Sequence, residues 1–242
     1  MTAIDYAQAR IQSRHGARAT ETAWNAAHAS VTLAALLETA RASGLKPWVA
    51  GIDTTQGEDE LELQLRERLR ERIAEVAGWM PPEWRAAMRH TALLLDLPAR
   101  QHLLLGRPAL AWMARESALA PWLNAAPDEE RAERLRAEWL QAWRALWPDP
   151  PAGDAAGLEE LVRAVQSHLE AFAASDADDA PALRRALQDR LEVLFRRHAL
   201  APAAAFIHVA LLALDLERLR GEIVARAVKR ELGPGLRRGD EK

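Results

Sequence analysis

The chain contains no cysteine among its 242 residues. That excludes disulfides, thiolate nucleophiles and cysteine-ligated metal sites, and it fits a reducing cytoplasm. Lysine is scarce: only Lys46, Lys229 and Lys242 occur, and none lies in a glycine-rich loop. A Gly-x-x-x-x-Gly-Lys phosphate loop is missing, so the chain is not expected to hydrolyse nucleotide by itself. There is no Gly-x-Ser-x-Gly nucleophile elbow. Neither His-Glu-x-x-His nor Glu-x-x-His occurs, so the usual helical zinc and di-iron spacings fail. No apolar run approaches the roughly 18 residues of a membrane helix. The opening "MTAIDYAQARIQSRHGARA" lacks the apolar stretch of a signal peptide. A formal net charge of −3 gives no general drive towards nucleic acid or anionic lipid. The expectation is a cytoplasmic protein that meets membranes through partners, without inserting directly.

What is present favours helix. Apolar residues make up 49% of the chain. Ala, Leu, Arg and Glu dominate, all good helix formers, while β-branched residues are few. Apolar positions recur at three- and four-residue steps instead of alternating, which predicts roughly ten helices and no sheet. The first helix is expected from Ala3 to His15, stopped by Gly16. Thr20 and Ser30 are candidate caps for the next two. Leu61, Leu65, Leu69, Ile73 and Val76 form the apolar stripe of a long helix over 58–78. Pro82 is placed to open a helix, Pro98 to end or kink one, and Pro127 followed by "DEE" to start another. Three further helices are expected near 156–174, 181–199 and 202–231.

Two stretches read alike: "HTALLLDLPARQ" from His90 and "HVALLALDLERL" from His208. The likeness extends upstream at an offset of 118 residues, where "LRERIAEV" from Leu69 lies opposite "LQDRLEVL" from Leu187. One extra residue in the second copy aligns Asp96 with Asp215. This predicts an all-α, multi-helix bundle built from two repeated helical lobes. "WPDPPAGD" is the clearest linker. The expected division is an N-terminal lobe over 1–147, a linker over 148–154, a C-terminal lobe over 155–232 and a tail over 233–242.

The N-terminus carries a further signal. "YAQARIQSRHG" followed by "LAALLETA" resembles the opening of the C/d-type socket subunits of A- and V-type ATPases. The matching positions are Tyr6, Ala9, Arg10, Ile11 and Arg14, then Leu36, Leu37, Glu38 and Thr39. The two Asp-Leu segments resemble the element each repeat of that family carries late in a long helix. The usual Asn is missing from both, and the chain has room for about two repeats where the family has three. The resemblance implies a non-enzymatic helical adaptor without cofactor or metal. Its partners would be the central-stalk and membrane-ring proteins of a rotary ATPase. A free-standing interaction scaffold and a helical enzyme using Asp96, Asp215 and His208 stand as alternatives.

The candidate structural and interface residues are Tyr6, Arg10, Arg14, Asp96, Asp215, Trp48 and Trp122. The aspartates each follow an apolar run, so each is either solvated, Arg-paired at a helix end, or part of an ion pair that sets helix register. Trp48 and Trp122 stand beside prolines outside the long helices, and Trp is enriched at protein interfaces. Trp139, Trp143 and Trp147 recur every four residues and read as core packing. His90 and His208 are flank histidines or, alternatively, paired metal ligands. "DADDAP" reads as a solvated turn that caps the next helix. "RRHALAP" and Arg237-Arg238 are the notable basic clusters of the second half, read as solvated faces. Without a basic stripe, nucleic acid is not an expected partner.

Overall fold

The computed structural model describes residues 3–149 and 152–232, and among these the regular structure is all helix with no strand. The helices are α1 (Ala3–Gly16), α2 (Glu21–Ala29), α3 (Leu33–Arg41), α4 (Lys46–Val49), α5 (Glu58–Trp79) and α6 (Pro82–His90). They continue with α7 (Leu97–Leu104), α8 (Ala111–Arg115), α9 (Glu129–Arg144), α10 (Ala152–Ala173), α11 (Ala180–Arg197) and α12 (Ala203–Leu232). Short 3-10 segments cover Thr91–Leu95, Ser117–Trp122 and Ala177–Asp179. The expected all-α fold is therefore observed, with ten helices of seven or more residues among the described residues. No described helix is long and apolar enough to cross a membrane.

Most helix starts follow their local signals. The Thr20 hydroxyl accepts the Ala23 N–H at the start of α2. Thr32, not Ser30, caps α3, its hydroxyl accepting the Ala35 N–H. Ser30 instead closes α2, donating to the Ala26 carbonyl. Asp128 caps α9 through the Arg131 N–H at 2.9 Å. The "DADDAP" turn forms a 3-10 segment, but Asp179 makes no side-chain cap bond. Pro181 sits in the first turn of α11, where its fixed φ already suits a helix.

The chain divides into two compact units, and they are not the sequential lobes expected. One unit comprises Met1–Gly16 with Leu69–Leu214; the other comprises Ala17–Arg68 with Asp215–Lys242. The expected boundary at 148–154 falls inside the first unit. Side chains bridge it: Arg144 on α9 donates Nε and Nη2 to Glu159 on α10 at 2.9 and 2.7 Å. The Trp143 ring also lies 5.4 Å from Phe206. A Pro-rich break in sequence need not be a break in packing. The expected tail over 233–242, with Arg237-Arg238, lies outside the described residues.

The first unit is built on Ala7 and Ile11 of α1, Ile73 and Val76 of α5, Trp84 and Met88 of α6, and Leu191 and Phe195 of α11, all buried. Both repeat copies up to Leu214 lie in it. α5 ends at Trp79 and α11 at Arg197, the same offset of 118 found in the sequence. After a short break each is followed by another helix. In the second copy α12 runs unbroken past Asp215. In the first copy the helix stops at His90 and passes through a 3-10 segment before α7. Pro98 accounts for the difference: it has no N–H to offer the Leu94 carbonyl, and its ring would clash with that carbonyl.

In the second unit, Trp24, Leu33, Leu36, Leu37, Leu45, Ile52, Leu61, Leu65, Leu219 and Ile223 are buried. A buried arginine ties α12 to the end of α2 within this unit. Arg226 of α12 donates Nε to the Ser30 carbonyl at 2.8 Å and Nη2 to the His28 carbonyl at 2.8 Å. It thereby caps carbonyls left without partners at the end of α2. The turn between α4 and α5 uses Gly51 at φ +76°, a conformation other residues resist.

Two helical glycines should respond oppositely to a methyl group. A Cβ at Gly157 would meet Ala203 Cβ at 2.9 Å and the His198 ring at 3.0 Å. At Gly221, in the interior of α12, it would meet nothing within 4 Å. Gly221→Ala is expected to stabilise by about 0.5–1 kcal/mol through helix propensity. Gly157→Ala is expected to lose that gain to overpacking, which costs about 1–3 kcal/mol. Chemical denaturation of both variants measures the difference.

Candidate functional site

Asp96 joins the 3-10 segment to α7. It has helical backbone angles and makes no cap bond with its side chain. The carboxylate is buried and is taken by guanidinium groups instead. Arg70 of α5 donates Nη2 to Oδ1 at 3.0 Å, and Arg100 of α7 brings Nη2 to 3.7 Å from Oδ2. Arg70 also places Nη1 2.7 Å from Glu116, which is buried too. One arginine therefore joins two buried carboxylates from different elements.

Asp215 is equally buried but belongs to the other unit. Arg18 meets it with both arms of its fork: Nε to Oδ2 at 2.8 Å and Nη2 to Oδ1 at 3.0 Å. This is the bidentate arrangement that makes arginine–carboxylate pairs strong and directional. The position that repeats Arg70 in the second copy is Gln188, which carries no charge, so the partner comes from a different part of the chain. Of the expectations for these aspartates, the Arg-paired one is observed, in buried rather than solvated surroundings.

The histidines of the repeat have different settings. His90 stacks on Trp139 with ring centres 5.6 Å apart. Burial pushes its imidazole below the ordinary value. His208 is buried, 6.0 Å from the His15 ring in centre-to-centre distance and 6.4 Å from Phe195. His15 lies flat on Phe195 at 3.9 Å and reaches Glu192 at 3.0 Å through Nε2. Sequence reasoning missed this His15–Phe195–His208 group, because its members come from α1, α11 and α12. Among the described residues no three His, Asp or Glu side chains are placed to hold a metal.

Of the expected tryptophan stripe, Trp143 is buried, while Trp139 and, just beyond the end of α9, Trp147 are half-buried against it. Trp143 donates its indole N–H to the Ala87 carbonyl at 3.0 Å, and Trp139 to the His90 carbonyl at 3.3 Å. Both acceptors lie in the last turn of α6, where the chain changes to 3-10 geometry and regular i+4 donors run out.

Tyr6, Arg10 and Arg14 share one face of α1, four residues apart, and that exposed face borders the buried stripe of Ala7 and Ile11. Tyr6 is 45% exposed and Arg14 47%. The Arg10 and Arg14 guanidinium carbons lie 5.3 and 6.0 Å from the centre of the Trp79 ring. Arg14 also donates to Glu75 at 2.6 Å. Burial acts to raise Glu75, but hydrogen bonds from Arg72 and Arg14 outweigh it and hold the carboxyl below its ordinary value.

The two loop tryptophans are not alike. Trp48, expected at an interface, is 5% exposed and so belongs to the core of the second unit. Pro47 sits in the first turn of α4, and that helical turn carries Trp48 and Val49 inward. Trp122 is half-buried against Leu104, Ala132 and Leu135. Its ring carries Arg131 at 4.7 Å and Arg100 at 5.1 Å.

No family model matches the chain, and neither a curated protein nor a solved structure does.

Two outcomes follow from this geometry. Asp215→Asn strips Arg18 of its buried countercharge and is expected to cost about 3–5 kcal/mol. Arg18→Met combined with Asp215→Leu should recover most of that loss in urea denaturation. For His90 the folded value lies below the unfolded one, so the unfolded chain takes the proton first. Its contribution to stability is present above about pH 6.5 and is lost as pH falls through the folded value. His90→Gln should therefore lose less stability than the native chain between about pH 7.5 and about pH 5, measured by denaturant midpoint at each pH.

Proposed function

We propose that the chain is a non-catalytic helical adaptor of the kind its N-terminus resembles, working with the stalk and membrane-ring proteins of a rotary ATPase. The observation that carries this reading is the outer face of α1. The residues that bear the resemblance divide by role: Ile11 is buried in the first unit, and Leu36 and Leu37 are buried in the second. Tyr6, Arg10 and Arg14 are instead exposed: Arg10 and Arg14 lean over Trp79 and Arg14 also holds Glu75, and the surface these side chains leave to solvent can take part in protein contact. Tyrosine and arginine are the side chains that most often anchor such contacts, because they bring area and directed hydrogen bonds together.

The aspartates support the same reading. Both are buried and committed to guanidinium partners, which is the work of architectural side chains.

Co-expression of the tagged full chain with central-stalk and ring proteins tests the proposal. The native chain is expected to co-purify with at least one of them. Tyr6→Ala combined with Arg10→Glu is expected to weaken that capture at least about tenfold, a loss of about 1.4 kcal/mol. A clean monomer that retains neither partner overturns the reading.

A further inference from the structure

The α10–α11 hairpin contains an open groove of about 410 Å³ lined by Glu160, Arg163, Arg190, Val193, Leu194 and Arg197. Its charges are unbalanced. Glu160, the carboxylate in this lining, accepts Arg197 Nη1 at 2.8 Å and faces His198 Nε2 at 3.4 Å. Its charge is therefore already spent at one end of the groove. Arg163 of α10 and Arg190 of α11 line the same groove, and among the described residues neither forms an ion pair. The third arginine of the lining, Arg197, is the one that holds Glu160.

We propose that this groove binds a small phosphate-bearing anion between Arg163 and Arg190, with its carbon portion against Val193 and Leu194. A guanidinium fork matches the oxygens of a phosphate in a two-point contact that an ammonium cannot reproduce. The lining carries three guanidinium groups to one carboxylate, and an anion seated there offsets that excess of positive charge. Leu194 is buried and Val193 is 46% exposed, which offers an apolar surface beside the charged groups. The volume lies within the roughly 300–1,000 Å³ of small-molecule sites and is modest for a folded protein segment. The proposal does not depend on the adaptor reading.

A phosphate of this kind has two sources, a soluble ester or a lipid headgroup, and the test separates them. Isothermal titration of the full chain with inorganic pyrophosphate and with phenyl phosphate is one arm. Sedimentation with phosphatidylcholine vesicles, with and without phosphatidic acid, is the other. Saturable binding of a soluble phosphate is expected, weakened at least about tenfold in Arg163→Gln/Arg190→Gln. Arg197→Gln should weaken it less, since Arg197 is already paired. Phosphatidic-acid-dependent sedimentation that the double variant abolishes assigns a headgroup, and binding of the soluble ester alone assigns a free metabolite. Both arginines are exposed, so the double variant should keep its native circular dichroism and denaturation midpoint. Absence of saturable binding in both arms, or equal binding by the folded double variant, overturns the proposal.

Discussion

A carboxylate removed from water must be met by a cation or it will not stay ionised, and in this protein that requirement reaches into both compact units. Asp96 and Asp215 arise at matching places in two similar stretches of sequence, each at the end of an apolar run that carries it inward. Each is almost fully buried. The apolar run thus imposes a cost of several kcal/mol that only a well-aimed guanidinium can offset. Arg70 and Arg18 provide it. Each ties together segments distant in sequence: Arg70 joins Asp96 and Glu116, and Arg18 joins Asp215 across 197 positions. Much of the chain path around these aspartates is arranged so that the two arginines arrive.

The same logic of satisfying polar groups governs the helix ends. Pro98 interrupts the helix of the first copy, and the change to 3-10 geometry leaves carbonyls at the end of α6 short of regular donors. Two indole N–H groups from α9 supply them. In the second unit Arg226 performs the equivalent service for α2. Trp139, Trp143 and Arg226 act alike: each delivers a donor across a distance while its remaining atoms pack.

For function, these observations separate side chains by what they have left to offer. Asp96, Asp215, Trp48 and the α9 tryptophans are occupied by folding. Tyr6, Arg10 and Arg14 on α1, and Arg163 and Arg190 on the α10–α11 hairpin, retain exposed polar atoms. Interior charges tie helices together within each unit, and the proposed contacts rest on the outer arginines.

Helix content and most helix limits were legible in the sequence, because they follow from local causes. Thr20 and Asp128 cap through their own hydroxyl and carboxylate oxygens, Pro82 suits a first turn, and the Leu61–Val76 stripe steps at helical period. The spacing of Tyr6, Arg10 and Arg14 puts them on one helix face, since residues four apart share a face, but that this face is exposed came from the structure. The division of the chain was not legible. A Pro-rich stretch at 148–154 signals a local break, but Arg144, Glu159, Trp143 and Phe206 pack across it, and no local pattern encodes that. The identity of each aspartate's partner was equally hidden, because Gln188 stands where a strict repeat would place an arginine and Arg18 lies in another segment. Trp48 shows the same limit, since a residue beside a loop proline can turn outward or inward. Local sequence determined which segments coil and which faces are apolar, through short-range sterics and periodicity. Only the tertiary structure decided which charges are buried together, because that depends on energies between residues that the chain brings close only after it folds.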